Sequence, residues 1–110
     1  MNLNGILVPM VTPFDSNNKV DTARLQELAL AYIDKGVTGL VACGTTGEYY
    51  TFSEEERAAV LQTIAQAGKG KATLIAGISD LSAEVAVRRA HEAKRLGYDG
   101  LMLSVPPYSL

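Results

Sequence analysis

Two hydrophobic periods alternate along this chain. Four short segments are apolar almost without interruption, over 6–11 (Ile6-Leu7-Val8-Pro9-Met10-Val11), 39–43, 73–77 and 100–105. Segments of this length, rich in branched aliphatic residues and bounded by turn formers, predict β-strands. Pro9, near the middle of the first, is a complication, because proline cannot donate to a strand ladder.

Between these segments the apolar spacing changes to that of a helix. Leu25, Leu28, Ala29, Tyr32 and Ile33 form one face of a helix predicted over 22–35, capped by Asp21 or Thr22 and stopped by Gly36. Ser53-Glu54-Glu55-Glu56 is a capping box, a serine with a glutamate three residues on, and opens a helix over 54–67. Val60, Leu61, Ile64 and Ala65 carry its apolar face, and Gly68 and Gly70 end it. Ser82 caps a third helix over 83–96 with a small-residue inward face (Ala83, Ala86, Val87, Ala90, Ala93), ended by Gly97.

The resulting order is βαβαβαβ in a single domain over 1–110. Strands apolar on both faces, alternating with amphipathic helices, predict the α/β class with a parallel sheet covered by helices. A weak internal echo, Lys35-Gly36-Val37-Thr38-Gly39-Leu40 against Leu96-Gly97-Tyr98-Asp99-Gly100-Leu101, runs from helix end into strand in both copies. Ligands of such sheets sit at the carboxyl ends of the strands. There the chain carries Cys43-Gly44-Thr45-Thr46-Gly47-Glu48 after the second strand and Pro106-Pro107-Tyr108 after the fourth. The hydroxyls of Thr45 and Thr46, with backbone N–H groups freed by Gly44 and Gly47, suit a carboxylate or a phosphate. The competing structural reading has both hydroxyls satisfying a tight turn and Tyr108 as an ordinary strand-end aromatic. Glu48 reads as a helix-entry residue, Cys43 as a buried, unreactive small hydrophobe, and His91 as a solvated helix residue.

Composition narrows the function classes. With 47% apolar and 20% charged residues in 110, the chain is an ordinary globular sequence. A net charge of -2 gives no attraction to nucleic acid or an anionic membrane. No apolar segment approaches the ~20 residues of a membrane helix, and Met1-Asn2-Leu3-Asn4 does not predict a secretory signal. One cysteine and one histidine allow neither an internal disulfide nor a metal cluster, and fit a cytoplasmic setting.

Four motifs in this order, Val11-Thr12-Pro13-Phe14, Gly44-Thr45-Thr46-Gly47-Glu48, Leu74-Ile75-Ala76-Gly77, and Gly97-Tyr98-Asp99-Gly100 running on to Tyr108, cover essentially the whole chain. Through them the chain resembles the pyruvate-dependent class I aldolases of the dihydrodipicolinate synthase and N-acetylneuraminate lyase group. The resemblance implies the first half of a (β/α)₈ barrel, a fold that needs ~250 residues in full. It implies a lyase forming a Schiff base between pyruvate and a lysine, without a cofactor or a metal. The implied reaction condenses pyruvate with aspartate semialdehyde in lysine biosynthesis, in a homo-oligomer, a tetramer built from dimers. Thr45 and Tyr108 would relay protons, Thr46 would hold the pyruvate carboxylate, and Gly44 and Gly47 would shape the cradle. Tyr108 would reach into a neighbouring subunit's site. The Schiff-base lysine would lie beyond Leu110, because Lys19, Lys35, Lys69, Lys71 and Lys94 fall in turns or on helices. The chain alone would then be inactive, and its unpaired outer strands would make it self-associate or require a second half.

The chain departs from the family pattern in two places. Pro107 stands where a second aromatic is usual. Tyr49, Tyr50, Glu54 and Arg57 replace the small residues and histidines of lysine-inhibited members, of which only Glu84 fits the pattern, so the resemblance does not extend to lysine feedback. Over 49–57 the chain also resembles sugar-acid aldolases and dehydratases, so cleavage of a 2-keto-3-deoxy sugar acid or a sialic acid is the alternative within the class. A different class, a small flavodoxin-like module binding an anion without catalysis, lacks the expected glycine-rich phosphate motifs.

Overall fold

A computed structural model describes residues 1–104. Its four strands are β1 (Leu7–Pro9), β2 (Gly39–Ala42), β3 (Thr73–Gly77) and β4 (Gly100–Met102), and its three helices are α1 (Thr22–Asp34), α2 (Glu54–Gly68) and α3 (Ala83–Arg95). The strands pair in chain order β1-β2-β3-β4, all parallel. Each βαβ unit therefore returns beside the strand it left, with one helix in each crossover.

Leu40 and Ala42 of β2 and Leu74 and Ala76 of β3 point to the helical layer, where they join Leu25 and Ala29 of α1 and Val60, Leu61 and Ile64 of α2. Val41 and Ile75, one residue out of phase, are buried outside that cluster. Burial on both faces is why the strands read as continuous apolar segments rather than alternating ones. Pro9 is tolerated because β1 is an edge of the described sheet and Pro9 is exposed. Tyr98, in the lead-in to β4, is buried, and its hydroxyl donates to the Leu61 carbonyl of α2 at 2.7 Å. Burial raises its phenol pKa, so the bond keeps its proton.

The helices begin as the sequence predicts. Asp21, not Thr22, is the cap of α1, accepting from the Arg24 amide at 3.0 Å. Ser53 caps α2 with both arms of the capping box: Glu56 N–H donates to Ser53 Oγ at 3.1 Å, and Ser53 N–H donates to Glu56 Oε1 at 3.0 Å. Ser82 caps α3.

Three strands are shorter than the apolar segments that predict them. β1 starts at Leu7 rather than Ile6, and it lacks Met10 and Val11 because β2 turns away after Ala42; the last tie between them is the Met10 amide donating to the Val41 carbonyl at 2.9 Å. β2 loses Cys43, whose φ of +58° breaks the strand. β4 stops at Met102, opposite Gly77 at the end of β3; Val105 lies outside the described residues. A short 3₁₀ helix, Tyr49–Thr51, was not predicted. The small-residue face of α3 is only partly inward: Ala86 and Ala93 are buried, Ala90 is half-buried, and Ala83 and Val87 are exposed. Among the described residues that face has no partner on the side of Val87, so the helical period marks it as apolar without its being covered.

The capping box carries a pH signature. The Ser53 amide holds the Glu56 carboxylate below its ordinary pKa. A carboxylate more acidic folded than unfolded stabilises fully above its unfolded pKa, roughly pH 4.3, and that stabilisation is lost as pH falls through the lower folded value. Glu56→Gln should flatten this acid limb: denaturation midpoints at about pH 6 and about pH 3 should differ less in the variant than in the native sequence.

Candidate functional site

The loop Cys43–Glu48 is enclosed by the ends of all four strands. It opens and closes on left-handed residues that are not glycine, Cys43 at φ +58° and Glu48 at φ +59°. Such residues cost of order 1 kcal/mol each and persist where surroundings impose them. Between them, the Gly47 amide donates to the Gly44 carbonyl at 3.1 Å and the Glu48 amide donates to the Thr45 carbonyl at 3.0 Å. Thr51 Oγ1 donates to the Glu48 carbonyl at 2.8 Å and seats the 3₁₀ turn that follows.

Two glycines are required by close approach. A Cβ on Gly47 would lie 2.8 Å from the Met10 carbonyl oxygen, so the end of β1 presses directly on the loop. A Cβ on Gly77 would fall onto the Cys43 carbonyl oxygen and lie 2.9 Å from its carbon, so β3 abuts the bend. Gly44 faces Met102 of β4, whose methyl would be 3.3 Å from an added Cβ.

Thr45 and Thr46 are exposed at the top of this enclosure. Among the described residues, their hydroxyls and amides make no hydrogen bond, while the neighbouring Gly47 and Glu48 amides are used within the turn. Two hydroxyls and two unspent N–H groups on one rigid bend can bind an anionic oxygen pair. Gly44 and Gly47 are buried beneath them. Tyr108 lies outside the described residues. Glu48 sits at the entry to the 3₁₀ turn, and His91 is exposed on α3. No described cavity is lined by Thr45 or Thr46. An apolar groove of about 490 Å³ lies instead between α3 and the end of β4.

Cys43 is buried at 3% exposure. Burial pushes its thiol pKa up to about 11, against the opposing pull of Arg57 and Arg89. It therefore acts as a small hydrophobe at the bend.

The sequence marked Arg57 only as a departure from the lysine-inhibited pattern, not as a buried residue. It is 2% exposed, and its Nη2 donates to the Gly77 carbonyl at 2.6 Å, next to the Cys43 bend. Its signal was its position: Arg57, Val60, Leu61 and Ile64 follow the spacing of one buried helix face.

Comparison with known proteins fits this geometry. The sequence profile described as the Dihydrodipicolinate synthetase family matches residues 2–110, and the chain belongs to that family. It is 41% identical to a 4-hydroxy-tetrahydrodipicolinate synthase of Moorella thermoacetica over 94% of this chain and 36% of the relative. It is 38% identical to an N-acetylneuraminate lyase of Citrobacter koseri over 96% of this chain and 36% of the relative. A crystal structure of dihydrodipicolinate synthase from Aquifex aeolicus superposes with a TM-score of 0.89 at 34% identity, over 94% of this chain and 35% of that one. The chain thus spans about a third of the length of these relatives, and its four parallel βα-linked strands match part of their (β/α)₈ barrel.

Gly77→Ala should lower stability by about 1–3 kcal/mol, read by denaturant unfolding, because the added methyl meets main chain rather than a movable side chain. Iodoacetamide at about pH 8 should label Cys43 only after denaturation, since the reactive thiolate is both scarce and buried.

Proposed function

We propose that the protein carrying this chain is a Schiff-base lyase acting on pyruvate, and that it condenses pyruvate with aspartate semialdehyde as a 4-hydroxy-tetrahydrodipicolinate synthase in lysine biosynthesis. The observation that carries the proposal is the bend bearing Thr45 and Thr46, enclosed by four strand ends, in a chain of this family. In this reading the Thr46 hydroxyl and amide hold the pyruvate carboxylate. Gly44 and Gly47 keep the cradle free of side chains.

A lysine amine attacks the pyruvate ketone and, with loss of water, gives the Schiff base. Release of a methyl proton then gives the enamine that attacks the aldehyde carbon. Thr45 and Tyr108 pass protons between donor and acceptor during these steps, as positioned hydroxyls can without free water. The amine comes from outside these residues: Lys19, Lys35, Lys69, Lys71 and Lys94 are exposed, and none ends a strand beside the loop. In this reading the 110-residue chain is inactive alone, and the whole protein is a homo-oligomer of the cytoplasm.

A second reading, cleavage of a sialic or 2-keto-3-deoxy sugar acid, is favoured by the N-acetylneuraminate lyase relative. Both readings share the pyruvate half of the site and differ in the aldehyde.

Borohydride treatment of the whole protein with pyruvate should give a reduced adduct at a lysine outside residues 1–110, and the chain alone should give none. A stoichiometric adduct on any of the lysines named above would overturn the assignment. Turnover with aspartate semialdehyde against turnover with sugar aldehydes separates the two readings. Thr46→Val should raise KM for pyruvate about tenfold, the loss of one hydrogen bond to a charged group. Thr45→Val should reduce kcat roughly a hundredfold with KM little changed.

A further inference from the structure

The β2–β3 ladder ends at the pair Ala42↔Ala76, although β3 continues to Gly77. The Ile78 amide donates to the Met102 carbonyl of β4 at 3.0 Å. The Gly77 carbonyl, on the other side of the same trans peptide, therefore points toward β2. β2 has no donor to offer there, because Cys43 has turned into the left-handed region. A buried carbonyl in this position is one the fold must satisfy.

Arg57 satisfies it from the helical layer, with Nη2 at 2.6 Å. Its guanidinium is otherwise poorly served. Nε is buried without a hydrogen-bond partner, and Glu92 Oε1 is 4.0 Å away. A methionine of similar length would fill this core position with far less desolvation. What only the guanidinium supplies is a donor to a carbonyl that the ladder leaves open. The same Gly77 stands against the Cys43 carbonyl with no space for a side chain, and Thr45 and Thr46 follow two and three residues on.

We infer that Arg57 is the positioning residue of the Thr45-Thr46 bend: by fixing the Gly77 carbonyl it fixes the surface on which Cys43 rests, and so the height of the two threonines at the strand ends. For catalysis this rests on the reading that the bend holds a pyruvate carboxylate. The positioning itself is observable without it.

The test uses the whole protein labelled with ¹⁵N-threonine, as Arg57→Met, as Arg57→Lys and as Tyr98→Phe. The last removes a different buried hydrogen bond to α2, whose acceptor is the Leu61 carbonyl rather than that of Gly77. Without ligand, Arg57→Met should move the Thr45 and Thr46 amide resonances, Arg57→Lys should move them less in the same direction, and Tyr98→Phe should leave them in place. With pyruvate, Arg57→Met should raise KM about tenfold, in line with the sensitivity of bound geometry to sub-ångström shifts. Arg57→Lys should recover part of that loss, and Tyr98→Phe should lower stability with KM unchanged.

Unmoved Thr45 and Thr46 resonances in Arg57→Met overturn the inference, as does an equal displacement in Tyr98→Phe. If Arg57→Met does not fold, Arg57→Lys decides by the same comparison with Tyr98→Phe. A native protein whose threonine resonances ignore pyruvate overturns the carboxylate reading instead, while the ligand-free spectra still decide the role of Arg57.

Discussion

The constraint on which the threonine bend rests is the contact of one peptide with another, Gly77 of β3 against the carbonyl of Cys43. A side chain on Gly77 would have to displace main chain. Because β3 cannot retreat from the helical layer that buries Leu74 and Ala76, the bend has only one place to go. The left-handed Cys43 is the consequence: the chain leaves the ladder at once instead of extending it. Met10 and Gly47 repeat the arrangement from the other flank, with the end of β1 against the far side of the loop.

The arrangement separates two duties that a substrate site must reconcile. Rigidity is supplied from beneath, by glycine contacts, a buried arginine and packed strands. In the proposed reading, chemistry is presented above, by the short hydroxyl side chains of Thr45 and Thr46, which need little ordering when they bind. Strain at Cys43 and Glu48 sits at the boundary between the two, where outlying backbone angles tend to occur in binding loops.

Much of this was legible from the residues. Period changes placed the four described strands and three α-helices in order, and Ser53 with Glu56 announced the start of α2 through an exchange the structure contains in full. The placing of Thr45 and Thr46 at a strand end was visible because two hydroxyls between glycines follow an apolar segment there. The left-handed turn was hidden, since Leu40-Val41-Ala42-Cys43 reads as one strand and the force that ends it comes from Gly77, a contact distant in sequence. Arg57 was hidden by composition: an arginine after Glu54-Glu55-Glu56 looks solvated, and only its register with Val60, Leu61 and Ile64 says otherwise. Small residues on α3 misled in the opposite direction, because periodicity reports which face is apolar and not whether anything covers it.

Strand order has a consequence for assembly in time. Each strand pairs with its immediate predecessor, so the sheet can lengthen one crossover at a time as the chain leaves the ribosome, closing short loops at small entropic cost. The bend is an exception to that progression. Cys43 and Arg57 are both synthesised before Gly77, so until the third strand docks the bend lacks its stop and the guanidinium lacks its acceptor. The threonine loop is thus among the earlier parts of this chain to be made and among the later to be set.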